Sequence, residues 1–253
     1  MTKKYKTGVV LSGGGTRGFA HIGIIAALVD NGFKPDIISG VSAGAIVGAF
    51  FASGKSPNEI HNILKEGGFF RYSKMHLPID GLLRLDGLKE VIEKEISIKT
   101  IEELPIPLSI TVSNLNKGTV EYLSEGPLSQ SVLASSSIPI LFSPVKINED
   151  IYVDGGLMDN LPISAIKDEC ERLIVSNISP VHPKTGIKNL IQITARTFYM
   201  SVNPNVKEIR KHSWLYIEPD GIDEYDILSR SHADKLYELG YTTAVKELKK
   251  KGF

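Results

Sequence analysis

The serine in Gly40-Val41-Ser42-Ala43-Gly44 is the first residue whose setting suggests covalent chemistry. The G-x-S-x-G spacing falls between a predicted strand and a predicted helix. That context forms a sharp elbow, which pushes the serine oxygen out above the sheet edge and needs small neighbours where the backbone doubles back. The following helix would point its partly positive N-terminus at the reacting centre, where negative charge builds during attack on a carbonyl. Ser42 therefore reads as a nucleophile ahead of a serine in an ordinary glycine-rich turn.

A second constellation lies upstream, in Gly13-Gly14-Gly15-Thr16-Arg17-Gly18. Glycines between a strand and a helix let backbone N–H groups converge on an anion, beside the positive end of the helix dipole. The same run fits G-x-G-x-x-G, so a dinucleotide-dependent oxidoreductase is an alternative reading. That reading needs an acidic residue about 20 positions on, at the end of the next strand. Here the next strand begins with Asp36 and ends in Ser39-Gly40, and the acid is missing.

A serine nucleophile also needs a base. In the Ser, acid, His order of hydrolases the candidate histidine is His182, but it sits in the proline-bracketed Pro180-Val181-His182-Pro183. His21, His61, His76, His212 and His232 fall in predicted helices or irregular segments, and each reads better as a surface or core-edge residue. Asp154-Gly155-Gly156 closes a predicted strand, where an Asp-Gly pair by itself is a common turn.

The elements that must hold these residues follow from the hydrophobic pattern. Thr7–Ser12 predicts a buried strand, Phe19–Asp30 a helix ended by Asn31-Gly32, and Asp36–Ser39 a second strand. A turn over Gly40–Gly44 then leads into a small-residue helix, Ala45–Ala52. This β-α-β-α order favours a parallel sheet covered by helices. Ser56-Pro57-Asn58-Glu59 predicts a capped helix through about Lys65, and Thr100 with Glu103 repeats the capping pattern. Two hairpins are expected, one over 108–113 and 119–123, the other over 145–147 and 151–153. Further strands are expected at Arg172–Ile178 and Trp214–Ile217, and helices at Asn189–Ser201 and Ala233–Leu248. Phe69–Leu85 has no clean period and reads as a loop or lid.

Composition narrows the function classes. The chain has 253 residues, 42% hydrophobic and 23% charged, which suits an ordinary globular protein with a substantial core. Length alone is compatible with one large domain or two small ones; with no repeat or linker visible, one domain is the better reading. The 29 Lys and Arg balance 29 Asp and Glu, so no global field would gather nucleic acid. The single Cys170 cannot form an intrachain disulfide, and no Cys/His cluster has metal-ligand spacing. Lys3, Lys4 and Lys6 precede an apolar run too short for a signal peptide, so a cytoplasmic location is expected. The 18 uncharged residues Ile37–Gly54 reach the lower edge of transmembrane length, but their four glycines and three serines argue against spanning.

Several further segments join the motifs in one order: Ala134-Ser135-Ser136-Ser137-Ile138-Pro139, Phe142-Ser143-Pro144-Val145, Tyr152-Val153-Asp154-Gly155-Gly156-Leu157 and Asp159-Asn160-Leu161-Pro162. With GGGTRG and GVSAG, this arrangement resembles the patatin-like phospholipase family from about Thr7 to Pro180. The resemblance implies a three-layer α/β/α sandwich with a mostly parallel sheet. It implies a catalytic dyad with Ser42 as nucleophile and Asp154 as base, within an elbow of Gly40, Val41, Ala43 and Gly44 and a DGG motif of Gly155 and Gly156. An oxyanion hole would come from the loop Gly13 to Gly18, chiefly the backbone of Gly13, Gly14, Gly15 and Thr16, with Arg17 steadying it. No metal or cofactor is implied. The expected partner is a lipid ester, phospholipid or lysophospholipid, and a non-catalytic lipid-binding relative is the remaining alternative. Phe50, Phe51, Leu82 and Leu83 could line an acyl pocket, although core packing explains them at least as well. Phe69–Lys74 mixes aromatics with cations; it reads as an ordinary loop or as a transient contact with an anionic membrane surface.

Overall fold

In the computed structural model, which describes residues 3–67, 85–183, 187, 190–201, 206–227 and 229–253, the chain folds around an eight-stranded sheet. The elements in chain order are β1 (Tyr5–Leu11), α1 (Gly18–Asp30), β2 (Ile37–Val41), α2 (Ala43–Ala52), α3 (Pro57–Glu66) and α4 (Asp86–Glu95). Next come β3 (Leu108–Asn114), β4 (Thr119–Leu123), α5 (Leu128–Ser136), β5 (Val145–Ile147), β6 (Asp150–Asp154) and β7 (Cys170–Ser176). The chain closes with α6 (Leu190–Ser201), α7 (Val206–His212), β8 (Leu215–Ile217) and α8 (Ala233–Lys250). The sheet order is β5-β6-β3-β2-β1-β7-β8, with β4 also paired to β3. Strands β3, β2, β1, β7 and β8 run parallel, while β4, β5 and β6 form the antiparallel part.

The central strands are apolar on both faces because both are covered, as parallel sheets require. Val9, Leu11, Ile38, Ile110 and Ile174 face one side, where α1, α2, α3, α4, α5 and α8 supply the main core. Val10, Ile37, Leu173 and Val175 face the other, against Leu161, Ile163 and Ile166 and the α7 residue Ile209. The three expected layers are present but unequal, the second face being covered largely by short turns. Ser56 opens α3 as expected: its hydroxyl accepts the Glu59 N–H at 3.3 Å, and the Glu59 carboxylate accepts the Ser56 N–H at 2.8 Å.

The stretch Ile37–Gly54, whose glycines and serines argued against spanning, is divided between β2, Ser42 and α2, and no helix among the described residues is long and apolar enough to cross a membrane. Two expectations are corrected. The turn expected over Gly40–Gly44 shrinks to Ser42 alone, since β2 continues through Val41 and α2 starts at Ala43. Thr100 and Glu103 open no helix. Thr100 instead bridges to Pro127, and Pro105 and Pro107 interrupt any helical run that would follow. Of the two readings of Phe50, core packing holds: it is fully buried in the main core, one turn beyond the α2 residues that line the cavity described below. The lid reading of Phe69–Leu85, the membrane-contact reading of Phe69–Lys74, and Leu82, Leu83 and His76 lie outside the described residues, Leu85 excepted.

Candidate active site

Ser42 and Asp154 are brought together by strand registry. Thr111 of β3 pairs with Val41 on one edge and Tyr122 on the other; Val112, the next residue, pairs with Asp154 and Glu121. Since β4 takes one edge at both positions, β2 and β6 share the opposite edge and run toward each other end to end. Ser42 follows the last residue of β2, and Asp154 is the last residue of β6. The two side chains thus belong to the same junction in the sheet, although 112 positions separate them in sequence.

The backbone at Ser42 has φ 52° and ψ −119°, a conformation that costs a residue with a side chain on the order of 1–3 kcal/mol. Neighbouring contacts hold it there. A Cβ on Gly40 would stand 2.5 Å from the Gly44 carbonyl oxygen, so the bend closes only with glycine. The Ser42 N–H donates to Ser135 Oγ at 2.8 Å, and that hydroxyl donates to the Thr111 carbonyl at 2.7 Å. The Asp154 N–H donates to the Ser137 carbonyl at 2.9 Å. The serines at the end of α5 therefore fix both halves of the junction.

Asp154 is 0% exposed and Ser42 is 5% exposed. Asp154 Oδ1 accepts the Gly156 N–H at 2.8 Å. Oδ2 is buried without a hydrogen bond of ordinary geometry, yet the Ser42 hydroxyl is close enough to favour the carboxylate. Such contacts commonly tighten when substrate arrives. Burial pushes the carboxyl up to about 7, against the smaller opposing pulls of Ser42 and the Gly156 N–H.

The glycine loop curls over the same junction. Thr16 donates its N–H to the Ile227 carbonyl and its hydroxyl to the Asp226 carbonyl, each at 2.8 Å. The Arg17 guanidinium, 7% exposed, reaches the Asp223 and Tyr225 carbonyls at 3.0–3.1 Å. Gly13 donates to the Asn160 carbonyl at 3.3 Å. Of the expected anion-binding amides, those of Gly13 and Thr16 thus have acceptors already. Those of Gly14 and Gly15 have none among the described residues. Gly15 has φ +59°, and a Cβ there would lie 2.3 Å from the Ile227 carbonyl oxygen, so the curl depends on glycine. Gly18 begins α1, and Gly155 and Gly156 begin the 3₁₀ turn after Asp154. Where a dinucleotide site would place its ribose-holding acid, at the end of β2, the chain has Val41 and Ser42.

Ser42 and Gly15 open into a cavity of about 670 Å³, mouth included. Its walls are largely carbon, from Phe19, Ile46, Val47, Leu88, Ile138 and Phe142. Such walls suit apolar groups in preference to charged ones.

No histidine among the described residues lines that cavity. His182 is half-exposed and lies 3.3 Å from Asp223. His21 is fully buried: Nε2 donates to the Ser12 carbonyl at 2.8 Å, so the neutral ring's Nδ1 accepts from Ser176 Oγ at 2.7 Å. Burial pulls it down to about 4. Among the described residues, no group of three His, Cys, Asp or Glu could hold a metal ion. Sequence reasoning assigned no role to Ser135, Ser137, Asn160 or the carbonyls of 223–227. The first three lay within quoted motif segments; the last carried no local pattern.

Comparison with known proteins covers most of these elements. Residues 9–166 match the patatin-like phospholipase family. An uncharacterized NTE family protein of Mycobacterium tuberculosis is 31% identical over 163 residues, covering 64% of this chain and 45% of that protein. Lysophospholipase nte1 of Emericella nidulans is 27% identical over 277 residues, covering 96% of this chain and 18% of that protein. The chain thus spans less than half the length of these curated relatives. The crystal structure of VipD from Legionella pneumophila aligns with a TM-score of 0.56 at 17% identity, covering 98% of this chain and 67% of that one. ExoU in complex with SpcU, from the Pseudomonas aeruginosa type III secretion system, aligns with a TM-score of 0.50 at 17% identity, covering 98% and 52%. These two likenesses concern the fold.

Proposed function

The chain belongs to the patatin-like phospholipase family, and from that premise we propose that it hydrolyses carboxylic esters of lipids, phospholipid or lysophospholipid, through Ser42 and Asp154. The observation that carries the reading is the end-to-end meeting of β2 and β6 on one edge of β3, at the foot of an apolar cavity.

Ser42 Oγ attacks the ester carbonyl carbon while its proton passes to the Asp154 carboxylate. The carbonyl oxygen becomes an oxyanion, and the N–H groups of Gly14 and Gly15, which meet no acceptor among the described residues, are the donors for it. One such donor is typically worth about 2.7–4 kcal/mol of transition-state stabilisation. Collapse breaks the bond to the alcohol, which takes the proton from Asp154 and leaves the acyl group on Ser42. A water molecule then attacks the acyl-serine, giving its proton to Asp154; the fatty acid departs and Ser42 recovers its proton. An ordinary aspartate, near 3.9, is too weak a base for this at neutral pH. Burial removes that mismatch by bringing Asp154 to about 7.

An alkyl fluorophosphonate tests the assignment. It should label the chain once, at Ser42, with loss of short-chain nitrophenyl ester turnover, and Ser42→Ala should abolish both. Labelling or turnover that survives in Ser42→Ala would remove the nucleophile.

A further inference from the structure

In a trans peptide the C=O of one residue and the N–H of the next share a plane and point opposite ways, so whatever holds the carbonyl also aims the amide. The two donor peptides of the glycine loop are held differently. In peptide 14–15 the Gly14 carbonyl accepts the Arg17 N–H at 3.3 Å, within the 3₁₀ turn Gly15–Arg17 ahead of α1, and the backbone itself aims the Gly15 N–H. Peptide 13–14 has no such bond: among the described residues no backbone N–H donates to the Gly13 carbonyl. It also lies between two glycines, where rotation of the flanking bonds meets no Cβ. Turned over, it would place a carbonyl oxygen where a donor for the oxyanion is needed.

A buried hydroxyl holds this peptide. Ser12, fully buried just after β1, donates from Oγ to the Gly13 carbonyl at 3.0 Å and accepts the Ile178 N–H at 2.9 Å. The peptide before it is anchored at both ends, for His21 Nε2 donates to the Ser12 carbonyl at 2.8 Å and the Gly13 N–H donates to the Asn160 carbonyl at 3.3 Å. His21, which no step of the acyl transfer uses, therefore secures the frame from which Ser12 acts. The loop adjoins the nucleophile here, since a Cβ built on Gly13 would stand 3.4 Å from Ser42 Cβ. We propose that Ser12 is a positioning residue of the oxyanion hole, whose hydroxyl holds the Gly13 carbonyl away from the ester oxygen and so keeps the Gly14 N–H aimed at it. The proposal rests on the hydrolase reading above and adds to it a residue that does not line the cavity.

Phosphonylation of Ser42 by the alkyl fluorophosphonate puts a phosphoryl oxygen where the oxyanion would form. In the unaltered chain labelled with nitrogen-15 glycine, the Gly14 amide proton should then move downfield as it takes up that acceptor. This measurement needs no variant, and a Gly14 amide that stays in place would overturn the proposal. Ser12→Ala should lower the phosphonylation rate constant and kcat for a nitrophenyl ester by about 10- to 100-fold, less than the roughly 10²–10³-fold that follows outright loss of a donor. KM should stay within about twofold, as for an interaction made in the transition state alone. Every folded chain should still label at completion. A Ser12 that merely braces the fold would give the reverse pattern, fewer chains competent to label but each at the parental rate constant, and that result would remove the positioning role. Ser12→Thr keeps the hydroxyl and should recover most of the lost rate; a folded threonine variant as slow as Ser12→Ala would equally count against the hydroxyl. Failure of the hydrolase reading would look different, as an unaltered chain that neither labels at Ser42 nor turns over the ester.

Discussion

The buried carboxyl of Asp154 ties activity and stability to the same proton. With its ionisation shifted up to about 7, kcat/KM should fall below neutrality as the base becomes protonated, with a midpoint near 7. Asp154→Asn should cost about 10²–10⁴-fold in turnover. Its effect on stability has a definite sign. Between pH 4 and 7 the folded chain holds a proton that the unfolded chain has released, so stability declines as pH rises through that window. Asn keeps an acceptor for the Gly156 N–H but carries no charge into the crevice. The variant should therefore be more stable than the parent at pH 8, by on the order of 1–4 kcal/mol, with the gap closing toward pH 4. His21 acts in the opposite direction. Its ionisation is pulled down to about 4 from 6.5, so acid favours the unfolded chain and stability rises with pH from about 4 to 6.5. In the parent these two slopes oppose each other, and Asp154→Asn removes the first while leaving that of His21. Urea melts across pH 4–8 would show it, and a parent–variant gap independent of pH would mean that Asp154 titrates as an ordinary carboxyl.

At the scale of elements, legibility followed locality. GGGTRG and GVSAG could be placed from sequence because a strand, a tight glycine bend and a helix lie within a few residues of each other. Asp154 could not be distinguished from a turn in that way. Its position depends on β6 meeting β2 across β3, which no short window contains, and only the family resemblance singled it out. The brace from Ser135 and Ser137 was hidden for a similar reason, since the partners of these serines lie on β2, β3 and β6. The two capping patterns show how context decides between identical local cues. Ser56 precedes an uninterrupted amphipathic run and caps α3; Thr100 precedes Pro105 and Pro107, and its backbone bridges elsewhere. Helix α3 supplies Leu64 to the cavity and, at its C-terminal end, the Lys65 carbonyl to Arg230. Ser56→Ala should lower stability by about 0.5–2 kcal/mol while leaving the rate of fluorophosphonate labelling at Ser42 within about twofold of the parent, because the capped end lies away from the cavity. A large fall in that rate would show that the whole helix, and not its last turn alone, positions the site.

Over the whole molecule, the portion that matches the family, residues 9–166, lacks elements on which its own centre depends. Strand β7 lies beyond it and pairs with β1 from Tyr5 to Leu11. Without β7, the strand that carries the glycine loop would become an exposed edge with both faces apolar. Residues 223–227, also beyond it, supply the carbonyls that hold Thr16 and Arg17. Helix α8 packs along α1, and its Leu236, Ala244 and Leu248 are completely buried in the main core. The chain beyond about Pro180 was less diagnostic in sequence because its work is long-range packing, which leaves hydrophobic spacing but no chemical motif. Leu236→Ala should therefore cost about 2–5 kcal/mol, as removal of a large buried side chain does, even though Leu236 belongs to no motif. A fragment ending at Glu169 should fail to fold, since it has neither β7 nor the strap on the glycine loop. Expressed beside the full chain, it should show no cooperative melt and no fluorophosphonate labelling of Ser42. A soluble fragment that melts cooperatively and labels at the parental rate would place the entire machinery in the first two-thirds of the chain, and would contradict the view that sheet, strap and α8 form one unit.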